Sequence, residues 1–286
     1  MSFNDKPNIA VLSVDNQNDF CEKSDLFTGR KGALYVEGAY EDTLRAADFI
    51  KLHSSSIKQI FATFDTHSPM QIFHAAWWLG SDGEPPKPFT TISYSDIVSG
   101  KWIPQIEPEW SLKYIKTLES QKGFSHCIWP NHCEMGSWGQ LMIFNLKEAI
   151  DEWQRNYGSM IHLKTLNKGW NPGYEFFGIF KPQIHIESDP YTHFNYKFVE
   201  ELNQFDKIYA FGEAKSHCFG LSIQQLLTQA QQGNALCQEV IGKIIVLEDC
   251  TSDIPGFEGA MDFVLQEAQL TYGMKMQKST EINSLI

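Results

Sequence analysis

Residues able to carry chemistry stand just after short apolar runs in this chain of 286 residues. Residues 9–14 (Ile-Ala-Val-Leu-Ser-Val) end at Asp15, and residues 59–64 end at Asp65, the head of Asp65-Thr66-His67. A run at 160–166 leads to Lys168-Gly169, and residues 208–211 lead through Gly212-Glu213-Ala214-Lys215-Ser216-His217 to Cys218. A thiol in the first turn of a helix is a candidate nucleophile, because free N–H groups and the helix dipole favour its thiolate. The N–H groups of the same turn can hold an oxyanion. A lone cysteine also serves commonly as a small buried apolar residue, which is the reading given to Cys21, Cys237 and Cys250. Asp65, His67 and His132, the last in Trp129-Pro130-Asn131-His132-Cys133, are candidate metal ligands. Two imidazoles and a carboxylate, with positions left for water, suit a catalytic zinc or a similar divalent ion. The plainer alternative is a hydrogen-bonded Asp–His pair with an unrelated histidine. His126, Cys127, His132 and Cys133 form a rival zinc grouping, but two adjacent-residue pairs match structural zinc spacings poorly.

These residues need a scaffold that brings them together. The runs at 9–14, 59–64, 208–211 and 244–247 are too short for helices and nearly continuous, as strands buried on both faces should be. Residues 160–166 and 273–277 are two further strand candidates. Between them, residues 40–53, 216–232 and 257–272 carry apolar side chains at helical spacing. Alternating strands and helices imply a three-layer α/β/α fold whose mainly parallel sheet has roughly six strands. Ligands of such sheets bind at the carboxyl ends of the strands. Neighbouring strands lie only about 4.8 Å apart, so Asp15, Asp65, His67, Lys168 and Cys218 can share one crevice. Residues 79–123 break the alternation with Pro85, Pro86, Pro88, Pro104 and Pro108, and with Trp102 and Trp110. This segment is expected as a long insertion in one domain spanning 1–286. It reads either as a lid or partner surface, or as a packed elaboration.

Composition limits the partners. Thirty-five acids against 23 bases give a formal charge of −12, which argues against a nucleic-acid surface and against a polybasic membrane anchor. No apolar run approaches the ~18–20 residues of a spanning helix. The polar start Met1-Ser2-Phe3-Asn4-Asp5-Lys6-Pro7 lacks a signal-peptide core. Six cysteines do not make a disulfide framework at this length. The expectation is therefore a cytoplasmic protein that acts on a small molecule, with no nucleic-acid or membrane partner.

The motifs resemble the nicotinamidase branch of the isochorismatase-like cysteine hydrolases, in order along most of the chain. Val14-Asp15-Asn16-Gln17-Asn18-Asp19-Phe20 resembles the family's D-x-Q-N-D-F, and residues 32–39 resemble its G-S-L-x-V-x-G-A. Asp65-Thr66-His67 resembles the D-x-H metal pair, and residues 129–133 resemble W-P-x-H-C. Lys168-Gly169 resembles K-G, residues 212–218 resemble G-x-A-T-D-[YH]-C, and residues 248–251 resemble a late E-D-A-x. The chain departs from the pattern at Lys215-Ser216, which replaces Thr-Asp, and at Glu134-Met135-Gly136-Ser137, which replaces V-Q-G-T. Gln71 and Phe73 stand where many relatives carry a further histidine, with His74 close by. The insertion is also longer than expected.

The resemblance implies a triad of Asp15, Lys168 and Cys218 and a metal held by Asp65, His67 and His132. That metal is expected to be zinc, with iron or manganese as alternatives. It further implies a cis peptide before Ala214, an oxyanion hole from the N–H groups of Ala214 and Cys218, and a substrate pocket lined by Phe20 and His217. The implied activity is hydrolysis of nicotinamide to nicotinate and ammonia through a Cys218 thioester. Alternatives are another small amide or carbamoyl substrate, or an inactive relative serving as a binding module. Relatives often assemble, so a homo-oligomer is compatible with the chain.

Overall fold

Alternate residues of the first apolar run serve two different cores. Ile9 and Val11 join one apolar cluster, while Ala10, Leu12 and Val14 join another. A strand covered on both faces requires this division. The structure is a computed structural model that describes residues 7–26, 28–121, 125–157 and 162–285. Its chain begins with β1 (Ile9–Val14), a short α1 (Asn18–Cys21), α2 (Ala39–His53) and β2 (Ile57–Asp65). A side excursion follows, with β3 (Trp78–Gly80), β4 (Thr91–Ile92), α3 (Tyr94–Val98), β5 (Trp102–Pro104), α4 (Pro108–Glu119) and β6 (His126–Cys127). The main alternation resumes with α5 (Phe144–Tyr157), β7 (Lys164–Lys168), α6 (Tyr196–Asn203) and β8 (Lys207–Gly212). A π-type turn at Lys215–Phe219 then leads to α7 (Gly220–Gln231), α8 (Ala235–Lys243), β9 (Ile244–Leu247), α9 (Asp262–Tyr272) and β10 (Lys275–Gln277).

Six strands form one sheet in the order β10-β9-β8-β1-β2-β7, each parallel to its neighbours. Helices α2 and α5 pack together on one face, with Phe49, Ile50, Ile150 and Trp153 in the shared core. Helices α6 to α9 cover the other face through Phe198, Leu226, Val240 and Leu265. The three-layer α/β/α fold expected from the alternation is the fold observed. From β1 the chain builds outward to β2 and β7, and later from β8 to β9 and β10. The order therefore reverses between β1 and β8, the kind of switch point where open sheets bind ligands.

Several boundaries differ from the sequence reading. The strand expected at 160–166 runs from Lys164 to Lys168, and Met160 and Ile161 lie outside the described residues. It has a single neighbour at the sheet edge, so a polar Lys-Thr-Leu-Asn-Lys sequence serves it where an apolar run would serve a central strand. Residues 258–261 are turns, and α9 starts at Asp262, because Gly256 and Gly259 adopt positive φ and interrupt the helical pattern. The helix expected from Ser216 is a π-type turn followed by α7, since His217 leaves helical dihedral angles. Helices α5, α6 and α8 were not anticipated. The excursion has a packed core of its own. Trp77, Trp78, Ile92, Tyr114, Ile115 and Leu118 form a third apolar cluster that continues into Phe73 and Trp129. Residues 122 and 123, at its expected end, lie outside the described residues.

Candidate active site

Four adjacent strand ends bring the predicted residues to one crevice. Asp65 and Lys168 are register partners at the ends of β2 and β7. Asp15 follows β1 directly, and the segment after β8 carries Ala214, His217 and Cys218. The Lys168 side chain is buried, and its Nζ stands 2.9 Å from Asp15 Oδ2 and 3.0 Å from Asp65 Oδ1. The same ammonium donates to the Phe176 carbonyl at 2.9 Å and reaches Cys218 Sγ at 3.6 Å. Asp15 sits at φ 49, a costly conformation for a residue with a Cβ. The Thr63 hydroxyl fixes it by donating to Asp15 Oδ1 at 2.6 Å.

Electrostatics define the resting state. Burial pushes the Asp15 carboxyl up from its usual value against the pull of Lys168. Burial also raises the Cys218 thiol well above its usual value, so sulfur rests protonated beside a carboxylate able to take the proton. Burial alone would lower Lys168, but Asp15 and Asp65 outweigh it and hold the ammonium well above its ordinary range. For Asp65, burial is outweighed by His67 and Lys168, and its carboxyl lies well below the usual range.

Asp65, His67 and His132 offer one ligand atom each within 4.8 Å of one another. The Nδ1–H of His67 donates to the Gly169 carbonyl at 3.0 Å, and that of His132 to the Pro130 carbonyl at 2.8 Å. Both rings thus turn Nε2 toward Asp65, the tautomer and orientation that a carbonyl bonded to the far ring nitrogen imposes on metal-binding histidines. His67 Nε2 is buried 3.0 Å from Asp65 Oδ2 yet makes no hydrogen bond, as expected of two donor atoms aimed at a common third point. The set fits a divalent cation. Gly169 is required here: at φ +78, a Cβ would lie 2.6 Å from the His67 ring and 2.7 Å from Asp65. The rival grouping does not form. His126 is bonded to the Ile72 carbonyl inside the excursion core, and neither it nor Cys127 belongs to a metal-type cluster among the described residues. Ring centroids place His74 6.0 Å from His67 and 6.1 Å from His132, outside the close trio. Gln71 instead supports the site, donating to the same Gly169 carbonyl as His67.

Cys218, Ala214, His132 and Asp65 border a narrow, partly open pocket with about 20 Å³ of free volume, room for one water as it stands. Phe20, Trp129, Phe177 and His217 supply aromatic walls, and Phe20 meets the His132 ring edge-on at 5.4 Å. His217 packs against Trp129 at 5.5 Å and Phe257 at 4.8 Å. Burial lowers His217 to about 4, leaving it neutral. The Glu213–Ala214 peptide is cis.

This architecture is shared with solved structures. The yeast nicotinamidase bound to the inhibitor nicotinaldehyde superposes with a TM-score of 0.60 at 19% identity, over 94% of this chain and 99% of that one. The chain has the nicotinamidase fold. An Acinetobacter baumanii nicotinamidase/pyrazinamidase gives 0.58 at 17% identity, over 97% and 99% of the two chains. A Pyrococcus horikoshii pyrazinamidase in complex with zinc gives 0.52 at 16%, over 95% and 99%. No family model and no curated protein matches the chain.

Within this nicotinamidase fold, several supporting residues were missed by sequence reasoning. Gln17 clamps the Asp65 backbone, accepting its N–H at 2.7 Å and donating to its carbonyl at 2.7 Å. Asp19 accepts from Cys133 N at 2.7 Å and from Ala33 N at 3.0 Å, which fixes the turn carrying His132. Both belong to the first motif, so the signal was present without a role attached. Glu175 is a buried carboxyl bordering the cavity, raised by burial to about 8 with His67 opposing. It lies in the irregular stretch after β7, where no periodicity marks it.

Proposed function

We propose that this chain is a metal-assisted cysteine amidohydrolase whose substrate is nicotinamide. One observation carries the reading: a single buried ammonium, Lys168, touches Asp15, Cys218 Sγ and Asp65 at once, joining a proton acceptor, a nucleophile and a metal-ligand trio. Asp15 takes the thiol proton as general base. The Cys218 sulfur then bonds to the carboxamide carbon, and the charge on oxygen rests on the N–H groups of Ala214 and Cys218. Asp15 returns the proton to nitrogen as the C–N bond breaks, and ammonia leaves a thioester. Water, deprotonated by Asp15, attacks that thioester. The C–S bond breaks, the proton returns to sulfur, and the carboxylic acid departs. Lys168 keeps Asp15 anionic enough to accept and compensates the thiolate.

Asp65, His67 and His132 would hold the divalent ion, zinc by donor set, with iron or manganese as alternatives. Bound there, it supplies a Lewis-acidic anchor for the ring nitrogen. The aromatic walls suit a flat ring, and among the described residues lining the cavity none is an arginine or lysine, Lys168 behind them being held by Asp15 and Asp65. This favours a neutral amide over a carbamoyl amino acid. The deciding test is ammonia release from nicotinamide with and without chelator, in the wild type and in Cys218→Ala. Ammonia production by wild type that stops in the variant is expected; undiminished release from Cys218→Ala overturns the mechanism.

A further inference from the structure

The residue before Ala214 has no part in the chemistry just described, yet it is a fully buried glutamate. Glu213 Oε2 accepts the Ser252 N–H at 3.2 Å, while Oε1 is buried without a donor. What faces it is Asp42 of α2, another carboxyl. Asp42 is itself occupied by the Ser252 hydroxyl at 2.5 Å and by the Arg45 guanidinium. Cations nearby are committed elsewhere: Arg45 to Asp42 and to the Asp249 carbonyl, Lys215 to Asp253 and Asp262. Among the described residues, Cys21 and Asp253 also act on Glu213 and Cys250 on Asp42, none able to neutralise a second buried anion. Two contacting carboxylates with one cation cannot both ionise in the interior without a large penalty.

We propose that Glu213 and Asp42 share one proton as a buried acid–carboxylate pair that positions the nucleophile turn. The proposal rests on the reading of Cys218 as nucleophile. The pair acts through Ser252, which is held at three atoms: its N–H by Glu213, its hydroxyl by Asp42, and its carbonyl by Lys215 N at 2.8 Å. Two residues on, Ile254 N donates to Ser216 Oγ at 3.0 Å, and the Ile254 side chain borders the cavity beside Cys218. Glu213 is thus a positioning residue for Ala214 and for the strap from Ser252 to Ile254. Burial first, and Asp42 second, hold its carboxyl well above the usual range. Folded Glu213 keeps its proton after the unfolded chain has lost it. The pair's contribution is complete below the unfolded glutamate value and is lost as pH rises through the folded one. Above that point two buried anions face each other and the Ser252 clamp loosens.

Glu213→Gln keeps the size and a donor toward Asp42 but has no proton to lose. The infrared difference spectrum of wild type against Glu213→Gln at neutral pH is expected to show a protonated carboxylic-acid C=O band, and its absence overturns the proposal whatever the substrate. In ammonia release, Glu213→Gln is expected to keep KM and extend kcat to higher pH, whereas Glu213→Leu lowers kcat about tenfold or more. An alkaline limb identical in wild type and Glu213→Gln also overturns it. If nicotinamide yields no ammonia with any variant, wild type included, while the infrared band is present, the amidohydrolase reading falls and the pair stands.

Discussion

Lys168 is the residue on which the site turns, because it is one cation against two buried carboxylates and a thiol. Removing one partner of a buried ion pair costs about 3–5 kcal/mol, since the other is left uncompensated. Lys168→Met is therefore expected to lose about that much stability in urea unfolding and to abolish ammonia release. Lys168→Arg is expected to fail in catalysis too, because a planar fork cannot serve three acceptors from one point. Gly169 is as constrained for a steric reason, its missing Cβ being the space occupied by His67 and Asp65. Gly169→Ala is expected to purify with metal content strongly reduced, read by elemental analysis, while Cys218→Ala keeps full occupancy.

At the scale of elements, the site is a row of strand ends in the order β7, β2, β1, β8; that strand ends carry it was legible in the sequence, their order was not. Central strands betray themselves by unbroken apolar runs ending at a polar residue, as β1 does at Asp15 and β2 at Asp65. Edge strand β7 does not, because one open side permits lysines and asparagine, and its boundaries were accordingly displaced. Helix α5 places Leu146, Ala149, Ile150 and Trp153 on its buried face at helical spacing and was readable but unread. Contacts made by irregular backbone were not readable: Glu175, Phe177 and the Phe176 carbonyl reach the site from a stretch with no period. The strap after β9 borders the cavity through Ile254, and its Phe257, 39% exposed, packs against the wall residues His217 and Trp129. Shortening that ring should open the way in, so Phe257→Ala is expected to speed alkylation of Cys218 by a maleimide several-fold. An unchanged rate would mean that entry lies elsewhere.

For the whole molecule, a cation bound only by the folded state adds RT ln(1 + [M]/Kd) to stability, about 4 kcal/mol at a thousandfold excess over Kd. Chelation is expected to lower the thermal midpoint by about 2–4 °C for each kcal/mol removed, and added zinc to restore it. The formal charge is −12, and no helix among the described residues is long and apolar enough to cross a membrane. The excursion spends its tryptophans inward on its own cluster, which backs the wall formed by Phe73 and Trp129. The position of β1 has a further consequence for how the protein is made. Its partners are β2, nearby in the chain, and β8, about two hundred residues later. A ribosome delivers Asp15 first, then the three candidate metal ligands Asp65, His67 and His132, then Lys168, and Cys218 last. The thiol thus emerges only when the carboxylate, the ammonium and the ligand trio are already synthesised. A nascent chain halted before β8 holds Asp15, Lys168 and the candidate ligand trio but not the proposed nucleophile, Cys218.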